Sequence, residues 1–474
     1  MSVDRKHVAS ETEASDKARH RKSQASSVHA LDHHAILQRY FQLDVETLAD
    51  AIALARVERV TLDAFLLARG LIGETELYRG LAEALGAHFI NHPFRLTSGY
   101  PFEVLLSSGV ARFEDGQGGT SVIAAPRGVF FEDLLMRIFT GEKAPPIILT
   151  TPSNFRRSLL TQFGKTQANH DVRRLGQSMP EFSAADLNRG SFVGLMVIVP
   201  ILFLLGLVMS AEFWTAGLYV FSSLFAAPSL LFKAAVTRVK PAAAPDRLLE
   251  DSKLPLYTIL LPLHREAEIV PRLLDHMLKI DYPRSKLQII FLIEEHDQAT
   301  REAIKSSSHF SHFETVICPE GQPKTKPRAL AIGQFYARGD YIVVFDAEDL
   351  PEPQQLRRAA TVFAHASPRL GCVQASLAIY NRKDSWLTRM FSFEYAVLFD
   401  VVLPGMARFS MPIPLGGTSN HLRRSALCAV QGWDPWNVTE DADLGLRLSR
   451  FGYETHYLPS TTYELSLIHI SNDI

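Results

Sequence analysis

Cysteine is scarce in this chain: its 474 residues include only Cys318, Cys372 and Cys428, far apart and in no metal-ligand spacing. That excludes a disulfide scaffold and a thiolate zinc module, and leaves free thiols in a reducing compartment. A dominant charge is also missing. The 49 basic side chains are balanced by 51 acidic ones, for a formal net charge of -2, so no general attraction to nucleic acid follows. The N-terminal stretch MSVDRKHVASETEASDKARHRKSQ lacks an apolar core, which excludes a secretory signal there and predicts a disordered tail over 1–34. His29, His33 and His34 cluster at its end, but no cysteine or carboxylate set completes a zinc site.

Uncharged apolar runs, by contrast, are present. Gly190–Ala211 (GSFVGLMVIVPILFLLGLVMSA) carries no charge, and neither does Phe213–Phe232 beyond Glu212. As helices each would reach roughly 30 Å, enough to cross a hydrocarbon core. Pro200 and Pro228 are tolerated in lipid-embedded helices, and Trp214 and Tyr219 suit an interface. Arg173, Arg174 and Arg189 precede the runs, while Lys233, Arg238 and Lys240 follow them. The positive-inside rule then places both flanks in the cytoplasm. We expect a transmembrane hairpin over 190–233.

Downstream, LYTILLPL (256–263), LQIIFLI (287–293), ETVIC (314–318), YIVVF (341–345) and CVQASL (372–377) read as strands. EIVPRLLDHMLKI (268–280) sets Val270, Leu273, Leu274, Met277 and Leu278 on one helical stripe, with Pro271 in its first turn. Such alternation predicts an α/β unit with a mostly parallel sheet covered on both faces. Ligands of such sheets bind beyond the strands' carboxyl ends, where acids gather here. Glu294, Glu295 and Asp297 follow one strand, and Asp346, Glu348 and Asp349 another. Glu440, Asp441 and Asp443 open a helical segment. Any one cluster alone would be ordinary solvated surface, but three converging at one edge would suit Mg²⁺ or Mn²⁺ bound with a diphosphate. Lys324, Lys326 and Arg328 lie in a loop entering a helix, a place to meet phosphate. Gly416 and Gly417, in PIPLGGTSN (412–420), would admit a ligand close to backbone.

In order along the chain, DAED with PEP, LGGTSNHLRR and GWDPWNVTEDADLGLRL resemble the family-2 glycosyltransferases. The likeness is to the membrane-embedded branch of bacterial cellulose and other β-glucan synthases, and covers roughly Leu254 to Glu464. It implies a GT-A-like mixed sheet, a nucleotide-sugar donor such as UDP-glucose, and a polysaccharide or lipid-linked acceptor. It also implies Mg²⁺ or Mn²⁺ and a place in the inner membrane of a bacterium. By this resemblance Pro262, Glu266, Glu294, Glu295 and Asp346 bind the donor, and Lys326 and Arg328, from their place at the start of a helix, are expected to join them. His264 and Arg265 replace the family's usual residues beside them. Asp346 and Glu348, with Asp349 as a substitute, hold the metal. Gly416, Gly417 and Thr418 lie on the acceptor side. Thr439, Glu440 and Asp441 form the catalytic triplet, with Asp441 as general base and inversion at the anomeric carbon.

One departure stands out. The family continues with a Q-x-x-R-W motif and further membrane helices, whereas here TTYE (461–464) is followed by LSLIHISNDI. An aberrant tail over 465–474, a truncated gene and little or no transfer activity are expected.

Residues 35–150 read as a separate domain, joined by a linker over 151–189. TLDAFLLARGLIGETELYRGLAEALGAHFIN resembles the small N-terminal domain of type II secretion ATPases, which in some relatives binds cyclic di-GMP. Val60–Asp63 lacks that version's basic and glycine contacts, and Asp63 would repel phosphate. A docking or regulatory role is expected there in preference to nucleotide binding. Thr75 with Tyr78 three residues on lacks a capping-box partner. A non-catalytic membrane adaptor is the competing reading; intact Asp346 and Asp441 argue against it.

Overall fold

The computed structural model describes residues 37–464 except 98, 115–118, 144, 187–188, 209–210, 240–244, 246 and 308–312. The expected tail (1–34), its histidines and the 465–474 segment lie outside the described residues. The chain divides into two compact units, Met1–Phe163 and Gly164–Ile474.

In the first unit, helices α1 (Val45–Glu58), α2 (Leu62–Ala68) and α3 (Glu74–Leu85) precede β1 (Phe89–Ile90), α4 (Phe102–Ser108), β2 (Val110–Glu114), β3 (Thr120–Ala124), α5 (Val129–Thr140) and β4 (Ile147–Thr150). The sheet runs β1-β4-β3-β2. Leu48, Phe65, Leu77, Leu81, Phe131 and Leu149 form its core. Helix α3 begins ahead of the expected Thr75: Glu76 turns back to accept from the Gly73 amide at 3.0 Å. Asp63 is buried, and its Oδ2 accepts from the Gly128 amide at 3.0 Å. Its carboxylate therefore serves the fold.

Helix α6 (Pro152–Ser178) carries the chain onward to α7 (Arg189–Val208) and α8 (Ala211–Val236). Pro200 and Pro228 sit inside these helices, as the sequence allowed. Trp214–Val236 is long and apolar enough to cross a membrane, and it is largely exposed, with Val236 at its end buried. The apolar stretch in α7, Met196–Gly206, is shorter. A second stretch of sufficient length, Trp386–Arg408, was not anticipated.

The rest of the second unit comprises β5 (Tyr257–Leu263), α9 (Val270–Leu278), β6 (Leu287–Glu294), α10 (Gln298–Lys305), β7 (Glu314–Cys318), α11 (Lys326–Gly333), β8 (Tyr341–Val344), β9 (Leu350–Pro351), α12 (Gln355–His365) and β10 (Leu370–Ile379). Then come α13 (Trp386–Ala396), a π-helical turn (Val397–Val402), α14 (Leu403–Arg408), β11 (Asn420–Arg423), α15 (Arg424–Ala429), α16 (Glu440–Arg450) and β12 (Glu454–Glu464). The sheet order is β7-β6-β5-β8-β11-β10-β12-β9, with β9 and β11 antiparallel to their neighbours. Strands β5 and β6 are almost wholly buried, as expected of parallel strands covered on both faces. Ile259, Leu261, Ile289, Phe291 and Ile293 meet α9 and α12 in one core. On the opposite face Leu292 packs against Gly333 of α11. Each such buried aliphatic side chain stabilises by roughly 1.5–3 kcal/mol.

A polar thread crosses this interior. His421 is buried between the Tyr257 hydroxyl (2.7 Å from Nδ1) and Gln355 Oε1 (3.2 Å from Nε2). Both bonds are satisfied when Tyr257 donates and Nε2–H donates, which keeps the ring neutral. Burial pushes its pKa down to about 3. An unfolded histidine titrates near 6.5, so below that value the unfolded chain takes up a proton that the fold refuses. Stability should fall with acidification by up to about 1.4 kcal/mol per pH unit from this group. Denaturation of His421→Gln should lose that component between pH 6.5 and about 4. An unchanged pH slope would contradict it.

Candidate active site

The acidic clusters meet because of strand direction. Strands β5, β6, β7 and β8 are parallel, so Leu263, Glu294, Cys318 and Val344 end on one edge. Strand β11 runs antiparallel to β8 with Asn420 opposite Val344, which brings loop 412–419 to that same edge. Strand β10 is antiparallel to β11 and parallel to β12, so Glu464 also arrives there.

Lys326, the first residue of α11, stands at the centre. Its Nζ lies 2.6 Å from Asp346 Oδ1 and 3.9 Å from Glu440 Oε1, and donates to the Gly417 carbonyl at 2.9 Å. Burial opposes its charge, but Asp346, Asp441 and Glu440 outweigh burial and push its pKa up. Asp441 is buried; Asn420 Nδ2 donates to its Oδ1 at 3.3 Å. Burial, reinforced by Glu440 and Asp346 and offset in part by Lys326, holds the Asp441 carboxyl well above the usual aspartate range. Glu440 is raised by burial too, with Lys326 opposing.

Loop 412–419 closes the other side. The Gly416 amide donates to Gln374 Oε1 at 2.9 Å, and a Cβ there would stand 2.9 Å from the Phe399 ring. At Gly417 the only atom of the described residues near such a Cβ is Asp441 Oδ2, at 4.0 Å. Here the glycine leaves bare backbone beside the carboxylate. Thr418 is buried and donates to Asp349 Oδ2, which also accepts from the Asp346 amide at 2.7 Å. Asp349 thus holds the turn carrying Asp346 and the loop carrying Gly417 in register. Burial, with Asp346 and Glu348 adding, raises its pKa.

Residues 255–465 match the family described as "Glycosyltransferase like family 2". This part of the chain is a glycosyltransferase domain. Over 210 residues the chain is 26% identical to "Probable glycosyltransferase YdaM" of Bacillus subtilis, covering 44% of this chain and 50% of that protein. Over 276 residues it is 26% identical to "Glucomannan 4-beta-mannosyltransferase 7" of Arabidopsis thaliana, covering 56% and 49%. It is 25% identical over 251 residues to "Beta-monoglucosyldiacylglycerol synthase" of Synechocystis sp., covering 51% and 50%. The chain therefore spans about half the length of these relatives. A mannosyltransferase from Pyrobaculum calidifontis, solved with GDP-Man and Mn2+, aligns over 52% of this chain and 67% of its own, with 20% identity and a TM-score of 0.41.

Within the glycosyltransferase domain the other expected residues are spread along the same edge. Half-buried Pro262 lies near the end of β5, and the Glu266 amide donates to Thr300 Oγ1 at 3.0 Å. Glu294 faces Arg328 at 3.5 Å; burial raises its pKa, with Arg328 opposing. Glu295 Oε2 accepts from the Glu320 amide at 2.9 Å. Arg328 is almost fully buried and also donates to the Pro319 carbonyl, so it braces the ends of β6 and β7 from inside. Asp297 accepts from the Arg265 amide at 2.6 Å and caps α10. Burial would raise its pKa, but these hydrogen bonds win and lower it. The Thr439 hydroxyl turns to Asn437 at 2.9 Å, shaping the turn before α16. Among the described residues no group of three His, Cys, Asp or Glu side chains forms a ready cage for a metal.

Sequence reasoning passed over Glu464, Asn420 and His296. Half-buried Glu464 hydrogen-bonds Tyr395; burial raises its pKa, with Glu348 and Asp346 adding. His296 meets His264 edge to face at 5.8 Å, just beyond β6 and β5. Only the strand pairing reveals that these residues border the site.

Proposed function

We propose that this protein is a membrane-bound inverting glycosyltransferase. It takes a sugar from a nucleotide-sugar donor, with UDP-glucose the first to try, and passes it to a growing polysaccharide at the inner face of a bacterial membrane. The observation that carries the reading is the convergence of Asp346, Glu440 and Asp441 on Lys326 at one sheet edge. The apolar and largely exposed Trp214–Val236 stretch supports membrane anchoring. A lipid-linked acceptor is the second reading, favoured by the name of the Synechocystis relative.

In this reading the nucleotide lies over the ends of β5 and β6, near Pro262, Glu266, Glu294 and Glu295. Asp441 accepts the proton of the acceptor hydroxyl as its oxygen attacks the anomeric carbon. An elevated pKa makes that carboxylate the better base once ionised, and the Lys326 ammonium favours the ionised form. One displacement inverts the centre, so an α-linked donor yields a β-linked product. Lys326 stabilises charge on the departing diphosphate.

Mg²⁺ and Mn²⁺ use one or two protein carboxylates and complete their shells with water and substrate phosphate. Half-buried Asp346 and Glu348 fit that donor set, and the absence of a three-residue cage is no obstacle to it. Bound there, the ion would neutralise diphosphate charge. The N-terminal unit is assigned docking or regulation.

The test is release of nucleotide diphosphate from donor by the full chain in vesicles, with water as acceptor of last resort. Release that requires Mg²⁺ or Mn²⁺ is expected. No release with UDP- or GDP-linked hexoses would leave the adaptor reading standing.

A further inference from the structure

Residues 431–437 link α15 to α16 and lead directly into Thr439–Asp441. Buried Arg447 of α16 fastens the start of this loop, donating to the Val430 and Gly432 carbonyls at 2.6 Å each. The loop also meets both ends of α11, the helix that begins at Lys326. Thr325 Oγ1 donates to the Pro435 carbonyl at 2.8 Å, and a Cβ at Gly432 would collide with the Gln334 side chain. Loop 431–437 therefore sits between the two helices whose first residues are Lys326 and the Glu440–Asp441 pair.

A further support comes from the stretch expected as a linker. Arg174, near the end of α6, donates from Nε to Gln431 Oε1 at 2.8 Å and lies over the Phe335 ring at 5.1 Å. Gln431 and Gly432 have φ of 65° and 74°, a region that a glutamine rarely enters, and Arg174 holds the glutamine there. Beyond the helix, the turn at Ser183–Ala184 grips Asp434. That carboxylate is fully buried. Its Oδ1 accepts from Ser183 Oγ and from the Trp436 amide, each at 3.2 Å, and its Oδ2 accepts from the Ala184 amide at 2.6 Å. A buried charge is costly unless it is hydrogen-bonded, and two of these three donors come from outside the loop. Phe182 meets Phe451, just past α16, at 5.8 Å, and Arg450 lies over its ring at 5.4 Å. A mere spacer needs none of these contacts.

We infer that residues 174–184 are a clamp, and that Asp434 is the positioning residue through which they set the distance between Lys326 and the Glu440–Asp441 pair. From Asp434 the chain turns twice into α16: the Asn437 amide donates to the Asp434 carbonyl at 3.2 Å, and the Thr439 amide to Asn437 Oδ1 at 3.0 Å. With the Ser183–Ala184 turn detached, the Asp434 carboxylate must find water, and the loop follows it away from α11. Glu440 and Asp441 move with the loop. Asp346 stays, because it stands on the turn after β8, where its amide is held by Asp349.

This inference rests on the proposed active site, and its test reads geometry separately from turnover. Ala184→Pro removes the amide that reaches Asp434 Oδ2. Proline suits the start of the 3₁₀ turn Ala184–Asp186, and Ser183 before it is extended (φ -105°, ψ 137°), as a residue preceding proline prefers. In the full chain in vesicles, a zero-length carbodiimide should join wild-type Lys326 to Asp346 and, in lesser yield, to Glu440. In Ala184→Pro the Glu440 product should fall at least about 5-fold with the Asp346 product retained, and donor turnover about 10- to 100-fold, the scale of an ångström's misplacement. Adding Asp434→Asn should cost little more, since both changes break one contact. An unchanged product ratio in Ala184→Pro would overturn the clamp. Loss of both products would mean that this variant had unfolded. Ser183→Ala, which leaves the backbone intact, should then lose the Glu440 product selectively, and an unchanged ratio there would overturn the clamp. Neither product in the wild type would sink the active site and the clamp with it. Selective loss in a chain that turns over no donor would support the clamp and count against the transferase.

Discussion

Asp441→Asn should reduce donor turnover by about 10²- to 10⁴-fold, the range expected for loss of a positioned general base, while donor affinity changes by less than about 3-fold. The substitution keeps the shape of the side chain and the contact with Asn420, so the pocket should stand. Turnover requires the ionised carboxylate. Burial, Glu440 and Asp346 raise its pKa, so the acidic limb of the wild-type pH–rate profile should lie above the ordinary aspartate value near 3.9. Activity is thus lost as pH falls through that raised value and is full above it. The residual rate of the variant should lack this limb. Turnover within about 10-fold of wild type would remove Asp441 from the chemistry.

Asp346→Asn should act on binding rather than on proton transfer. Loss of even an outer-sphere partner of a metal costs about 10- to 100-fold in affinity, so loss of a direct carboxylate ligand should cost at least that. Donor binding in Mn²⁺ should weaken accordingly. In EDTA the variant should bind no worse than wild type, because it frees Lys326 from its 2.6 Å ion pair and leaves that ammonium for the diphosphate. Equilibrium dialysis with labelled donor, with and without Mn²⁺, reads both effects. Equal loss in both conditions would mean that Asp346 supports the fold or the nucleotide and not an ion.

The strands that were legible in the sequence are the ones buried on both faces. ETVIC became β7 without a shift, and LQIIFLI lost nothing and gained Glu294. Short β11 and polar β12, ETHYLPSTTYE, carry no such signal. They are strands because β10 pairs with them on either side. The Trp386–Arg408 helix escaped notice because Arg389, Glu394 and Asp400 interrupt its apolar run.

Within the site, residue types were readable and their partners were not. That acids would collect at one edge followed from strand direction, but the placing of Lys326 between Asp346 and Glu440 depends on where α11 begins. Asp349 read as a possible ligand from its neighbours in sequence. Its burial under Thr418 instead reflects the return of loop 412–419 over the end of β8, a contact between residues 69 positions apart. Arg328 likewise read as a phosphate contact and lies inside, against Glu294 and Pro319.

A zero-length carbodiimide cross-link probes the convergence itself, independently of turnover. Treatment of the full chain should join Lys326 to Asp346, with a minor product at Glu440, and peptide mass spectrometry identifies both. Mn²⁺ with nucleotide diphosphate should suppress the reaction by occupying the same carboxylates. Failure of Lys326 to couple to either acid, or coupling indifferent to metal and nucleotide together, would contradict a shared donor site at this edge.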